Sequence, residues 1–218
     1  MSKKIFIDCG GHDGCSVIKF LLEESPQAEC ISFEPNPIFS SYYRFLPTKL
    51  VQAAVGTFDG TGTLIIDPLD GDGSTLIPEK IVDKKNFFRN ADCPKLTVSI
   101  VDLSQIIYQA SKKYESIVLK LDIEGSEYDI LEKLIKDKTI SLLEKIYCEF
   151  HWEKLNLPQK RHEELIEKIR KNVDLEHWDA RKYAVHKRSK KHMWERTKFC
   201  GILFLLRIWF RIFPNKIF

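Results

Sequence analysis

Two carboxylate-bearing segments stand where strand-like runs give way to turns, and both are suited to holding a polar small ligand. The first is Asp8-Cys9-Gly10-Gly11-His12-Asp13-Gly14, after the apolar Ile5 to Asp8 and before a helix-like stretch. Glycines in such a turn let ligand atoms reach backbone N–H groups and the positive end of the next helix. Glu34 follows Gly14 by twenty residues, at the end of the next strand-like run. A carboxylate there suits a bidentate grip on ribose hydroxyls, so the pair points to an adenosine-containing ligand. A dinucleotide site would require glycine at the second position of G-x-G-x-x-G, where the backbone meets the pyrophosphate. His12 stands in that place and Cys15 in the third, which disfavours NAD or FAD.

The second segment is Leu119-Lys120-Leu121-Asp122-Ile123-Glu124-Gly125-Ser126-Glu127. In doubly wound sheets ligands bind outside the carboxyl ends of the strands, so Asp122 and Glu124 should face the same crevice as Asp8 and Glu34. Glu127 also reads as a first-turn acid that stabilises a helix N-terminus. Glu149 and His151 close a later strand-like run. Glu124 and Glu149 offer two carboxylates to a divalent metal but no clear third ligand, so no metal ligands are assigned.

The elements that must position these groups alternate between strand-like and helical patterns through the first 150 residues, which implies a parallel sheet covered by helices on both faces. Strands are expected at Ile5 to Asp8, Cys30 to Phe33, Leu50 to Val55, Ile117 to Ile123 and Ile146 to Phe150. The continuous apolar character of the fourth suggests burial on both faces. Helices are expected around Val17 to Leu22, from Ser126 to Ile135, and after Pro158. Between Gly56 and Pro94 the glycine-rich breaks imply a hairpin and a mobile loop. Asp174 to Val185 and Lys198 to Arg207 look like a terminal pair of strands.

In this order FIDCGGHDG, FEPNP, AAVG and LKLDIEGSEYDIL resemble the motifs of the FkbM-type methyltransferase family, from about Ile5 to His151. The resemblance implies a Rossmann-like α/β fold of the class I methyltransferase type: a doubly wound, mostly parallel seven-stranded sheet with an antiparallel terminal strand. It also implies S-adenosylmethionine as cofactor and O-methyl transfer to sugars or related small molecules. Carried over by position, Asp8, Gly10 and Gly14 would surround the methionine part and Glu34 would hold the ribose. Asn36 would flank the adenosine, Ala54 and Val55 would line the adenine edge, and Asp122 would lie closest to the sulfonium. His12-Asp13 is bulkier and more polar than the usual residues of that loop. An alcohol acceptor needs a base, and Asp122, Glu149 and His151 are the candidates because all end predicted parallel strands. His151 has the ordinary pKa best matched to that task, and His12 is a further acceptor-side candidate.

The formal net charge of +3 hides an asymmetry, because from Arg181 onward eleven Lys/Arg face a single acid, Glu195. That end would suit a phosphate-bearing acceptor such as a nucleotide sugar. Lys187 to His192 has little aromatic interleaving, so nucleic acid is disfavoured as partner. Residues 1–207 are expected to form the methyltransferase domain and residues 208–218 a basic, aromatic tail. The tail could lie at a membrane surface, pack on the domain or make a dimer contact. The N-terminal apolar stretch is too short for a signal peptide, and six scattered cysteines without CxxC fit thiols in a cytoplasmic protein. Three other readings stand beside the sugar O-methyltransferase: a nucleic-acid 2′-hydroxyl methyltransferase; a protein or amine methyltransferase, disfavoured because the sequence has no Asn-Pro-Pro-aromatic motif; and a non-catalytic S-adenosylmethionine-binding module docked on a membrane.

Overall fold

The computed structural model describes residues 3–80, 92–184, 198, 200–202 and 205. In chain order the strands and α-helices are β1 (Lys4–Cys9), α1 (Cys15–Glu23), β2 (Glu29–Phe33), β3 (Lys49–Val51), β4 (Ala54–Gly56), β5 (Gly60–Ile65), β6 (Lys95–Asp102), α2 (Leu103–Ser111), β7 (Ser116–Leu121), α3 (Glu127–Lys136), β8 (Lys145–Cys148), α4 (Gln159–Arg170) and β9 (Asp174–Glu176). Six strands form one sheet in the order β3-β2-β1-β7-β8-β9, and every pairing in it is parallel. The order reverses between β1 and β7, so the turns that follow these two strands diverge and leave a crevice between them.

Alternation along β1 explains the two cores. Ile5, Ile7 and Cys9 face one side, packing with Leu103 and Ile107 of α2 and with Ile130, Leu131 and Leu134 of α3. Phe6 faces the other, against Val17, Phe20 and Leu21 of α1 and Trp178. The Phe6 and Phe20 rings stack at 4.1 Å. Burying an apolar side chain of this size contributes roughly 1.5–3 kcal/mol. All six residues of β7 are buried, Ser116 and Lys120 included. In α3, Glu127 and Asp129 occupy the first turn and Lys133 and Lys136 the last, each charge matched to the helix dipole.

Three expectations are corrected. Leu50 to Val55 is not one strand: it breaks at Gln52 and Ala53, and β4 leaves the main sheet to pair parallel with β6. A second, three-stranded sheet, β4-β6-β5, therefore stands beside the six-stranded one in place of a single seven-stranded sheet. β5 does gain an antiparallel partner, but this is β6, which begins only after Pro94 and pairs with it from Gly60↔Ile100 to Ile65↔Lys95, rather than a second strand between Gly56 and Pro94. The terminal strand pair is absent among the described residues. Among the described residues only Asp174–Glu176 forms a strand there, and it runs parallel to β8, while Lys198, Cys200, Gly201, Ile202 and Leu205 are helical. The basic run Lys187 to His192 and residues 208–218 lie outside the described residues.

Candidate functional site

At the carboxyl edge of the main sheet a cleft of about 610 Å³ opens between the turns after β1 and β7. Gly10, Glu34, Ala54, Val55, Asp122 and Glu149 all line it. The glycine turn can form only because Gly10 lacks a side chain: it sits at φ +73°, and a Cβ there would lie 1.7 Å from the carbonyl oxygen of Asp122. That contact brings the ends of β1 and β7 into direct backbone apposition. Gly14, at φ 75°, is the left-handed residue that turns the chain into α1.

Glu34 ties this turn to the end of β2. One carboxylate oxygen accepts the His12 N–H at 2.8 Å and the other the Asn36 N–H at 2.7 Å. Burial pushes the Glu34 carboxyl up to about 7, against the lowering effect of those two N–H groups. Asn36 caps the short 3₁₀ helix Pro37–Tyr43 by accepting the Ile38 N–H, and its Nδ2 has no hydrogen-bond partner.

A polar row crosses the sheet just behind the cleft, because Ser32, Asp8 and Lys120 are register partners on β2, β1 and β7. All three are buried. Ser32 donates to Asp8 Oδ2 at 3.2 Å, and Lys120 Nζ lies 3.5 Å from Asp8 Oδ1 and 3.4 Å from Asp122 Oδ2. Lys120 also donates to the Gly10 carbonyl at 2.6 Å. Burial alone would pull its ammonium down, but the charges of Asp122 and Asp8 outweigh that and hold it raised. Lys120 is a site residue that sequence reasoning missed.

The turn after β7 carries a second cluster. Glu124 is left-handed at φ 58°, which a non-glycine residue adopts at some cost, and its carbonyl accepts the Thr75 hydroxyl at 2.7 Å. Its Oε2 pairs with Lys80 and, at 2.9 Å, with Lys154. Glu127 does more than decorate the helix start. Fully buried, it accepts the Ile123 and Gly125 N–H groups and meets His151 Nδ1 at 2.9 Å. His151 Nε2 lies 3.2 Å from Glu124 Oε1, 3.8 Å from Asp122 Oδ1 and 3.9 Å from Glu149 Oε1. Burial would lower the His151 imidazole, yet Glu124 and Glu127 together raise it to about 10, so at neutral pH the ring holds its proton. Burial, followed by the Asp122 charge, raises the Glu149 carboxyl.

Of the residues expected in the site, Gly10, Glu34, Ala54, Val55, Asp122 and Glu149 face the cleft. Asp8, Gly14, Asn36 and His151 stand behind that wall and hold its parts in place. His12 lines the cleft with its ring edge-on to Phe39 at 4.3 Å between centroids. Beside Glu124 it is Asp122 and His151, rather than Glu149, that complete a group of three offering ligand atoms within 4.8 Å of one another.

Fold and cleft together define a Rossmann-like α/β protein with a cleft at the sheet's switch point. Residues 8–176 match the model of the methyltransferase FkbM domain, and the chain belongs to that family. It is similar to Methyltransferase 1 of Beauveria bassiana (strain ARSEF 2860), with 26% identity over 161 residues. That alignment covers 66% of this chain and 63% of the relative, so the chain spans just under two thirds of the curated protein it matches. No solved structure matches the chain. No helix among the described residues is long and apolar enough to cross a membrane.

Proposed function

We propose that the chain is an S-adenosylmethionine-dependent O-methyltransferase that acts on a hydroxyl of a sugar, glycan or nucleotide-sugar-like small molecule. The observation that carries this reading is the joining of Glu34 to the glycine turn, in the same cleft that Asp122 lines. The residues present fit an adenosyl ligand. Each Glu34 oxygen uses one lone pair on a backbone N–H and retains another for a ribose hydroxyl. The unpartnered Asn36 Nδ2 adds a donor nearby, and Ala54 and Val55 supply an apolar wall for the adenine edge.

The cofactor supplies, when bound, a methyl group already activated on a sulfonium sulfur. The protein's work is then mostly positional. Asp122, with a side chain 31% exposed, offers negative charge to a cationic centre in the cleft. Holding the acceptor oxygen in line with the methyl carbon supplies on the order of 7–11 kcal/mol. Glu149, half exposed at the cleft rim and raised in pKa, is the group placed to take the hydroxyl proton, a contribution of roughly 10²–10⁴ in rate. His151 keeps its proton in the free protein and acts by orienting the carboxylates around it. Lys154 and His177 join Glu149 on the acceptor side, a polar lining that suits a hydroxyl-rich molecule.

The test is incubation of the full chain with S-adenosylmethionine and a panel of free sugars, glycans and nucleotide sugars, with S-adenosylhomocysteine quantified by mass spectrometry. Product with a methyl ether on a sugar oxygen supports the assignment. Cofactor binding without turnover across the panel would favour the non-catalytic module.

A further inference from the structure

We propose that Asp122, Glu124 and His151 form a binding site for one divalent cation at the acceptor end of the cleft. Three side chains point one atom each at a common spot, and in every case the other end of the side chain is already held. Lys120 lies against Asp122 Oδ2, which leaves Oδ1 turned toward His151 Nε2 at 3.8 Å. Lys80 and Lys154 hold Glu124 Oε2, which leaves Oε1 turned toward the same nitrogen at 3.2 Å. Glu127 holds His151 Nδ1 at 2.9 Å. Nε2 itself is buried, on a side chain only 3% exposed, has no hydrogen-bond partner, and would release the proton it carries in the free protein when the cation takes its place.

This arrangement has the chemistry of a metal site. Two ligands at bonds of about 2.1 Å lie roughly 3.0–3.4 Å apart at ordinary coordination angles, and the three atoms here lie within 4.8 Å of one another. Only a small inward shift of Asp122 separates the two geometries. Carboxylate and imidazole donors together suit first-row divalent ions such as Mn²⁺ or Zn²⁺. The Glu127–His151 contact is the outer-shell carboxylate that usually fixes the tautomer and direction of a metal-binding histidine. Asp122 and Glu124 line the cleft, so positions opposite the protein ligands stay open to the substrate.

The cation's role rests on the methyltransferase reading, whereas its binding does not. Bound to the acceptor hydroxyl, it would stabilise the oxygen's negative charge as the O–H bond breaks. The proton passes to the Glu149 carboxylate, the electron pair stays on oxygen, and that oxygen forms the new bond to carbon while the old carbon–sulfur bond breaks with its pair left on sulfur.

The experiment uses the full chain stripped with a chelator, without cofactor or acceptor. Mn²⁺ and Zn²⁺ are titrated calorimetrically, and bound Mn²⁺ is examined by pulsed electron paramagnetic resonance for coupling to a ligand nitrogen. One ion per chain is expected, with a nitrogen coupling that disappears in His151→Ala. Asp122→Asn, at a partly exposed position that tolerates the change, should weaken binding at least about tenfold, and Glu127→Gln about 10–100-fold. Glu34→Gln should leave metal affinity unchanged even where it abolishes cofactor binding, so the two readings fail separately. Absence of binding by either ion to the folded chain overturns the proposal, as does bound Mn²⁺ without nitrogen coupling.

Discussion

Lys120 and Asp8 stand directly opposite each other on β7 and β1, with Nζ 3.5 Å from Oδ1 inside the sheet. The pair ties the glycine turn to Asp122, because the same ammonium reaches the Gly10 carbonyl and Asp122 Oδ2. Removing one member of a buried pair leaves the other charge uncompensated, a loss of roughly 3–5 kcal/mol. Lys120→Met should therefore lower the urea midpoint steeply, and adding Asp8→Asn should restore much of it. Additive losses in the double variant would show that the two groups are not coupled.

Gly11 approaches the Tyr43 ring so closely that a Cβ would lie 2.2 Å from the hydroxyl, which has no hydrogen-bond partner. Gly11→Ala should cost about 1–3 kcal/mol through overpacking. Tyr43→Phe removes the obstructing oxygen and should recover most of that loss in thermal denaturation. Failure to recover would mean that the contacts with Asp8 and Ser32 dominate instead.

Glu149→Gln keeps shape and removes the base. Turnover should fall roughly 10²–10⁴-fold while the affinity for S-adenosylhomocysteine stays constant, because Glu149 lies on the acceptor side. Steady-state kinetics with calorimetry separates the two, and unchanged kcat removes Glu149 from the reaction.

Much of this site is legible in the sequence because strand ends and turn glycines are local signals. Glu34 is found from its distance to Gly14, and Asp122 from an apolar run that stops at an acid. Lys120 is not, since its value lies in facing Asp8 across a register that only the assembled sheet defines. Glu127 looks like an ordinary first-turn acid until the chain brings His151 to it from 24 residues away. The break at Gln52 and Ala53 is hidden for a similar reason: β4 pairs with β6, whose partner residues lie 46 positions later, Ala54 against Ile100. The run Lys198 to Arg207 is apolar almost throughout, so periodicity does not separate strand from helix there.

Glu34 also sets a pH dependence. Asp8, Lys120 and Tyr43 face it from β1, β7 and the Pro37–Tyr43 turn, and burial holds its carboxyl near 7 against an ordinary 4.5. Ribose hydroxyls donate to the ionised form, so binding below pH 7 must expel a proton. Affinity for S-adenosylhomocysteine should rise from pH 6 to pH 8, by at most about tenfold per unit below 7, and Glu34→Gln should flatten the curve. For stability the sign is opposite. The raised carboxyl contributes fully below pH 4.5, and that contribution is lost as pH rises to about 7.

The most direct test of the cofactor site is calorimetric titration of S-adenosylhomocysteine into the wild-type chain and into Glu34→Ala at pH 8. One ligand per chain is expected for the wild type, with affinity reduced at least about 10–100-fold in a variant that retains its circular dichroism, since each hydrogen bond lost to a charged group costs roughly 1.5–3 kcal/mol. Wild-type affinity in Glu34→Ala, or no binding by the wild type, contradicts the account.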